Sequence, residues 1–216
     1  MLKKQRSSLV IDTLLNEIEG DGVAVAYVYC DFNTGNMQST SAVLGSVLRQ
    51  VVGALTEIPD SVQRAFERAK KQADGCGLRL PEILDMLAKF IPSLKRMFVC
   101  IDALDEFPRK QRAQLWNSLR CVARECPNTR LFLTGRPQIR EEVEEYLPGA
   151  AYIVTIEPTS EDIRRYIEER LSEDLDKNTI DEALRADIRR VIPKSASGMY
   201  VFKAGCGVPL TGLTLA

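Results

Sequence analysis

The 216-residue sequence contains no histidine, and this absence removes several kinds of catalytic site. Without an imidazole the sequence cannot supply a Ser/His/Asp triad, a Cys/His dyad or most zinc sites. No glycine is followed directly by lysine either. The sequence therefore lacks the G-x-x-x-x-G-K-[ST] loop, in which backbone N–H groups and a lysine surround phosphate groups.

Long apolar runs, a charge imbalance and closely paired cysteines are also missing. No apolar stretch approaches the roughly 18 residues that a membrane span needs. The formal net charge of −1 provides no overall attraction to nucleic acid or to an anionic membrane. The six cysteines include no C-x-x-C pair, which predicts reduced thiols and a cytoplasmic location. We expect no membrane span and no nucleic-acid partner.

Strand-like and helix-like segments alternate through most of the chain. Short runs rich in Val, Ile and Phe predict four strands, at residues 23–30, 97–101, 130–134 and 152–156. The first three do not alternate cleanly, which is typical of parallel strands buried on both faces. Helical spacing of apolar residues predicts helices at 7–18, 41–55 and 111–122, and two more within 60–90. This alternation predicts an α/β layer fold.

The character of the sequence changes at Thr159. Apolar residues recur at helical spacing, many charges of both signs surround them, and no strand is predicted. A second helical run covers residues 179–192 and is expected to stop before Pro193. We therefore expect an α/β core over residues 7–157, a small helical lobe over 158–204 and an irregular tail over 205–216.

Three acids follow one of the buried strands, in the run Met-Phe-Val-Cys-Ile-Asp-Ala-Leu-Asp-Glu at residues 97–106. A carboxylate at the carboxyl end of a parallel strand faces the crevice where α/β proteins bind ligands. Magnesium needs only one or two carboxylates. Asp102 fits a magnesium ligand, and Asp105 and Glu106 follow closely enough to orient a water. A strand followed by an acidic helix start explains the same string equally well, since acids stabilise helix N-termini.

The next strand, Leu131-Phe132-Leu133-Thr134, is followed by Gly135-Arg136-Pro137. An arginine at this position could pair with a terminal phosphate through its fork of N–H donors. Taken alone, such a string more often places an arginine in a surface turn. The acids and the arginine lie about thirty residues apart, each at a predicted strand end, and together they favour a nucleotide site.

The order of three segments, FVCIDALDE, NTRLFLTGRP and IEPTSEDIRRYIEERL, resembles the NACHT class of STAND signalling NTPases. In particular it is similar to the nephrocystin-type N-terminal NTPase domain of large fungal ankyrin- or WD-repeat proteins. SSLVIDTLL resembles the helix after that family's phosphate loop, VAYVYCDF its second strand, and SGMYVFKA the segment that closes its helical lobe. The resemblance covers about residues 7–204 and implies a three-layer parallel sheet of the P-loop NTPase type.

The resemblance also implies roles for five residues. Asp102 corresponds to the Walker B acid on the magnesium shell, and Asp105 and Glu106 to catalytic acids that place water. Arg136 corresponds to the sensor of the terminal phosphate, with Thr134 beside it. The implied cofactors are magnesium with ATP or GTP. The implied partners are proteins, reached through effector and repeat domains of a parent protein.

One part of the family pattern is absent. The family's first strand and phosphate loop belong just before Ser7, where this sequence has Met-Leu-Lys-Lys-Gln-Arg. Lys3 and Lys4 supply charge but no glycine-rich cradle, and the missing strand would lie beside the strand that leads to Arg136. We therefore expect a fragment with a sheet that lacks its first strand. Nucleotide binding should be weak or absent and hydrolysis impaired, so that the chain acts, if at all, as an interaction or regulatory module.

Two alternatives stay open. The chain could be a working ATP- or GTP-dependent switch of the NACHT class, which would require phosphate contacts that the sequence does not display. It could also be an α/β scaffold without a ligand. In that case Asp102→Ala and Arg136→Ala would leave every property unchanged. Whether the chain is an enzyme is therefore not decided by its sequence.

Overall fold

A computed structural model describes residues 10–16, 22–31, 38–71, 77–149, 151–156, 159–173 and 181–195, and the backbone of 201–206. The described residues form two compact units. The first includes the residues up to Ile153 together with those from Lys203 onward, and the second lies between Val154 and Phe202. Lys3, Lys4, Ser7 and most of the predicted tail lie outside the described residues.

The elements of the first unit alternate between helices and strands. In chain order they are α1 (residues 10–16), β1 (Val23–Tyr29), α2 (Thr40–Gly53), α3 (Asp60–Lys71), α4 (Leu80–Phe90), β2 (Arg96–Asp102), α5 (Arg109–Glu125), β3 (Thr129–Gly135) and α6 (Arg140–Tyr146). Strands β4 (Ala151–Ile156) and β5 (Val201–Cys206) each cross the boundary between the units. The second unit contains α7 (Ser160–Glu173) and α8 (Glu182–Ser195).

Strands β1, β2 and β3 run parallel to one another. Val23 is level with Arg96 and Tyr29 with Asp102, while Met97 is level with Thr129 and Ile101 with Leu133. The prediction of an α/β fold with a parallel sheet is thus confirmed. Because the strands are parallel and in step, their carboxyl ends lie at the same edge of the sheet.

The order of strands in the sheet is β1-β2-β3-β5-β4. Strand β5 is not predicted by the sequence pattern, and it spans the expected border between helical lobe and tail. It lies beside β3, in the position that the resemblance assigns to a missing strand. An unpaired edge inside a sheet would leave backbone N–H and C=O groups without partners. The expected open position beside β3 is therefore filled in the described sheet by another part of the chain.

Burial differs between the strands. In β2 every residue from Met97 to Asp102 is buried, so both faces of the sheet are covered there, as predicted. In β1 Ala24 and Ala26 are buried on one face while Tyr27 on the other is 39% exposed, so the prediction of burial on both faces is wrong for this strand. This strand also forms an edge of the sheet. Gln50 covers part of that edge. Its amide donates to the Tyr27 carbonyl at 3.0 Å and accepts from the Tyr27 N–H at 3.1 Å.

Helices α2, α4 and α5 pack against one another, with α2 also on β1 and α5 on β3. Helix α2 begins after Ser39, whose hydroxyl accepts the Ala42 N–H at 3.1 Å, as in a normal N-cap. Its buried residues include the predicted series Val43, Val47 and Val51. The layer of helices therefore follows from apolar residues that recur every turn.

The second unit is a helix pair. Thr159 and Asp162 cap the start of α7 reciprocally, with Asp162 accepting the Thr159 N–H at 2.9 Å and Thr159 Oγ1 accepting the Asp162 N–H at 3.1 Å. Helix α8 continues through Pro193, so the predicted end before this proline is wrong. In a last turn proline removes only one helical hydrogen bond. No helix in the described part of the chain combines the length and apolarity of a membrane span.

Candidate functional site

The candidate site lies at the carboxyl ends of β2 and β3. Asp102 is the last residue of β2, and Thr134 is the next to last of β3. Thr134 Oγ1 donates a hydrogen bond to Asp102 Oδ1 and accepts one from the Ala103 N–H at 3.0 Å. Both side chains are buried. Thr134 therefore holds the Asp102 carboxylate in one orientation at the edge of the sheet.

The chain turns sharply after Asp102. Ala103 has a φ of 54°, in the left-handed region that residues with a Cβ seldom adopt. A short 3-10 turn, Leu104–Glu106, follows it. We call residues 103–107 the acidic turn. Helix α5 begins only at Arg109 and has no acid in its first turn, so the acids are not part of that helix start.

Asp105 contacts Arg136 directly. Its Oδ1 accepts the Arg136 backbone N–H at 3.1 Å, and its Oδ2 lies 3.2 Å from Arg136 Nε. The Asp105 side chain is 2% exposed and that of Arg136 54%. Glu106 Oε1 lies 4.0 Å from Arg136 Nη2. The acids that follow β2 and the arginine that follows β3 thus meet at one place.

Gly135 allows this close approach. A Cβ built at this position would lie 3.1 Å from Ile139 Cγ1 and 3.3 Å from Asp105 Oδ1, and closer still to Ile139 Cδ1. Ile139 is fully buried, so it has little room to move away. The glycine in the Gly-Arg-Pro string is therefore required by the packing of the site.

Arg112 on α5 also reaches the acidic turn, and the sequence pattern does not single it out. Its Nη2 donates to the carbonyls of Asp105 at 3.3 Å and Phe107 at 3.2 Å. Its Nη1 lies 3.0 Å from Glu142 Oε1 on α6, and Glu142 Oε2 accepts the Trp116 Nε1–H at 2.6 Å. Several charged residues precede and follow Arg112 in the sequence. No sequence pattern indicates which of them contacts the acidic turn.

Cys30 reports the electrostatics of the site. It follows β1, is buried, and donates its N–H to the Asp102 carbonyl at 2.9 Å. Burial raises the pKa of its thiol to about 12, and the negative charges of Asp102, Asp105 and Glu106 contribute in the same direction. Burial and Asp102 also raise the pKa of Tyr29. The charges of the three acids thus act on the same buried thiol.

The donor set fits magnesium better than a metal that requires several protein ligands. Among the described residues no group of three or more His, Cys, Asp or Glu side chains could hold a metal ion. Magnesium usually keeps several waters and binds one or two carboxylates together with substrate phosphates. Asp102 has Oδ1 bonded to Thr134 and no described hydrogen bond at Oδ2, so one carboxylate oxygen remains for a hard cation.

The fold and site describe an α/β domain with acids and an arginine at the ends of adjacent parallel strands. Residues 3–136 match the family described as Nephrocystin 3, N-terminal, and the match covers more than half of the chain. The chain belongs to this family. A search of curated proteins and a search of solved structures gave no match. The matched segment includes β1, β2 and β3 and ends at Arg136.

Proposed function

We propose that this chain carries the magnesium-binding and phosphate-sensing half of a NACHT-type nucleotide site, on a sheet of the P-loop NTPase type. The observation that carries the proposal is the meeting of Asp102, Thr134, Asp105 and Arg136 at the ends of two adjacent parallel strands. Such strand ends line the ligand crevice of α/β folds. A carboxylate and a guanidinium there are the groups that nucleotide chemistry uses for magnesium and phosphate.

Asp102 and Thr134 act together in this proposal. Asp102 offers its Oδ2 to the ion, while Thr134 holds Oδ1 and thereby fixes the plane of the carboxylate. A bound magnesium neutralises charge on the terminal phosphates of ATP or GTP. A carboxylate held by a neighbouring hydrogen bond loses less freedom on binding, so Thr134 contributes to affinity without touching the ion.

Arg136 and Asp105 exchange partners. Both Asp105 oxygens are occupied by Arg136. A terminal phosphate competes for the half-exposed guanidinium, because phosphate offers it the same paired oxygens. When Arg136 turns to phosphate, Asp105 loses the Nε contact and becomes able to orient a water together with Glu106. The catalytic role proposed for Asp105 therefore depends on phosphate at Arg136.

Turnover by this chain should be impaired. The sequence offers no Gly-Lys pair, and in this class the glycine-rich loop and its lysine provide much of the phosphate grip. We place the chain among interaction or regulatory modules with protein partners, in the cytoplasm. Cys30, Cys121 and Cys126 are free thiols, which suits a reducing compartment.

Calorimetric titration of the purified chain with ATP and with GTP, in the presence and absence of magnesium, tests the proposal. We expect magnesium-dependent binding with a dissociation constant of about 1 mM, or about −4 kcal/mol. Asp102→Asn should abolish the effect of magnesium. Asp85→Asn is the control, because Asp85 is an exposed acid on α4 and has no role in the candidate site.

Three results are informative. Micromolar binding that Asp102→Asn abolishes would favour the working switch over the impaired module. Equal binding by wild type and Asp102→Asn, with or without magnesium, would reject the site. Loss of binding in Asp85→Asn as well as in Asp102→Asn would show that the effect is not specific to the candidate site.

A further inference from the structure

Arg112 has no role in the nucleotide site as proposed above, yet it makes several buried contacts beside that site. Its side chain is only 11% exposed, and its Nε is buried without a hydrogen-bond partner among the described residues. A buried donor without a partner costs free energy. The contacts made by Nη1 and Nη2 must therefore outweigh this cost and determine where the guanidinium lies.

Those contacts connect the two segments that carry the candidate site. Nη2 donates to the backbone carbonyls of Asp105 and Phe107, within the acidic turn. Nη1 pairs with Glu142 on α6, the helix that follows Arg136 after the short turn Pro137–Ile139. The segment after β2 and the segment after β3 are thus held by one guanidinium, beside the direct contact between Asp105 and Arg136.

We infer that Arg112 is a positioning residue for the nucleotide site, which fixes the acidic turn relative to α6. This inference rests on the proposed function. Arg112 bonds to the backbone carbonyls of the turn and to no carboxylate of the three acids. It therefore fixes the backbone position of the acids. Asp105 and Glu106 then keep the distance from Arg136 that phosphate and water require.

An ordinary structural ion pair would behave differently. It would contribute to global stability, and its removal would weaken all binding in proportion to the unfolded fraction. A positioning residue must change the acidic turn locally and must change the benefit that magnesium brings, because the acids of the turn act on the metal shell and its water. Both effects can be measured separately from unfolding.

Hydrogen exchange of the nucleotide-free full chain tests the local effect. The Glu106 N–H bonds to the Ala103 carbonyl at 2.8 Å, and the Phe107 N–H to the Leu104 carbonyl at 3.2 Å. In Arg112→Gln we expect these amides to exchange at least about tenfold faster, because the turn loses the contacts that hold it closed. A tenfold change corresponds to a loss of about 1.4 kcal/mol in the free energy of local opening. Arg112→Lys keeps the charge but not the fork and should restore only part of the protection.

Arg140→Gln is the matched control. Arg140 pairs with Glu144 at 2.9 Å on the surface of α6, and both side chains are 55% exposed. Its removal should leave exchange in the acidic turn at the wild-type rate. If the amides of the acidic turn exchange as slowly in Arg112→Gln as in Arg140→Gln, the inference is wrong.

Trp116 gives a second signal, because it is the one tryptophan in the sequence and donates to Glu142. It is buried and its ring stacks on Tyr146, with centroids 6.0 Å apart. Arg112→Gln and Glu142→Gln should both change Trp116 emission in the folded state. Glu142→Gln serves as the second route if Arg112→Gln does not fold, and it too should speed exchange of the acidic turn.

The magnesium effect completes the test. The ratio of ATP affinities with and without magnesium should fall about tenfold in Arg112→Gln, or about 1.4 kcal/mol, and stay unchanged in Arg140→Gln. If the wild type binds no nucleotide at all, the proposed function is wrong, while exchange still decides whether Arg112 holds the turn. If the wild type binds and Arg112→Gln keeps its magnesium ratio, Arg112 is not a positioning residue.

Discussion

The carboxylate of Asp105 and the guanidinium of Arg136 join the ends of two neighbouring parallel strands. Asp105 is almost fully buried and bonds to the arginine through both oxygens, whereas more than half of the Arg136 side chain is exposed. A buried carboxylate depends on its partner, because an unpaired buried charge is costly. Arg136 can instead reach solvent or phosphate. The contact is therefore more important for the stability of the buried carboxylate than for that of the arginine.

Breaking this pair should destabilise the fold. In Arg136→Gln, Asp105 keeps only the backbone N–H of residue 136, and the free energy of unfolding should fall by about 1–3 kcal/mol. Asp105→Asn should also be destabilising. The double variant should lose less unfolding free energy than the two single variants together. We expect an interaction energy of about 0.5–3 kcal/mol from a double-mutant cycle, measured by urea unfolding.

The pair Arg140–Glu144 provides the comparison for this cycle. Both of its side chains are well exposed, and such pairs contribute about 0–1 kcal/mol. An interaction energy for Asp105 and Arg136 that does not exceed the value for this surface pair would mean that the buried carboxylate gains nothing from the arginine.

Thr134 should be needed for its hydroxyl and not for its shape. Thr134→Val keeps the volume but leaves both the Ala103 N–H and Asp102 Oδ1 without the hydroxyl that joins them. The expected loss is about 1–3 kcal/mol, the cost of unsatisfied buried groups. Thr134→Ser keeps both hydrogen bonds and should lose less. Thermal and urea unfolding of the two variants compare these costs.

The comparison of serine with valine decides the interpretation. If Thr134→Ser is as unstable as Thr134→Val, the lost methyl packing and not the hydrogen bonds would account for the role of this residue. If both variants are as stable as the wild type, the link between the ends of β2 and β3 makes no measurable contribution.

The sequence predicts strands β1 to β4, and the strand ends that carry the candidate residues, for physical reasons. Strand β2 is covered on both faces, so its composition is almost wholly apolar up to Asp102 and its signal is strong. The meeting of Asp102 with Thr134 follows from parallel strands that end at one edge of the sheet. Local composition places the strands, and the parallel arrangement brings their ends together. The residues at those ends are Asp102, Asp105, Glu106, Thr134 and Arg136.

Other features depend on contacts that local sequence does not encode. Helix α6 has seven residues, of which only Val143 is buried, and so small an apolar stripe gives no helical period. The Arg112–Glu142 pair joins residues 30 positions apart through the packing of α5 on α6. Strand β5 pairs with a sheet formed much earlier in the chain. Even Asp105 and Arg136 are each predicted to face a ligand, and their direct pairing emerges only in three dimensions.

Gly135 should not tolerate a side chain. Gly135→Ala places a methyl against Ile139 and close to Asp105 Oδ1, and such overpacking typically costs about 1–3 kcal/mol. Ile139→Val removes the Cδ1 atom that clashes most closely, so the double variant should recover part of the stability. Urea unfolding of the two single variants and the double variant measures this recovery.

A matched glycine is available as a control. Gly53 lies at the end of α2, and a Cβ there meets nothing within 4 Å. Gly53→Ala should be neutral or slightly stabilising, since alanine favours helix. If the double variant is no more stable than Gly135→Ala alone, the contact with Ile139 is not the cause of the destabilisation.

Cys30 should make the folded chain sensitive to alkaline pH. Burial and the neighbouring acids raise the pKa of its thiol from the ordinary 9.0 to about 12. Below pH 9 the thiol is protonated in both folded and unfolded chains, and this contribution to stability is fully present. Between pH 9 and 12 the unfolded chain loses the proton while the folded chain retains it. Stability should therefore fall in this window, by about 1.4 kcal/mol for each pH unit at most.

The comparison of Cys30→Ala with Cys121→Ala isolates this effect. Burial also raises the pKa of Cys126, and a hydrogen bond to Glu125 raises that of the half-buried Cys121, so the wild-type slope contains several contributions. Urea unfolding from pH 8 upward should show a shallower alkaline loss in Cys30→Ala than in Cys121→Ala, because the pKa of the Cys30 thiol is raised as far as about 12. Parallel curves for wild type and Cys30→Ala would mean that neither burial nor the three acids raises the pKa of this thiol. The convergence of Asp102, Asp105 and Glu106 near Cys30 would then lose its electrostatic support.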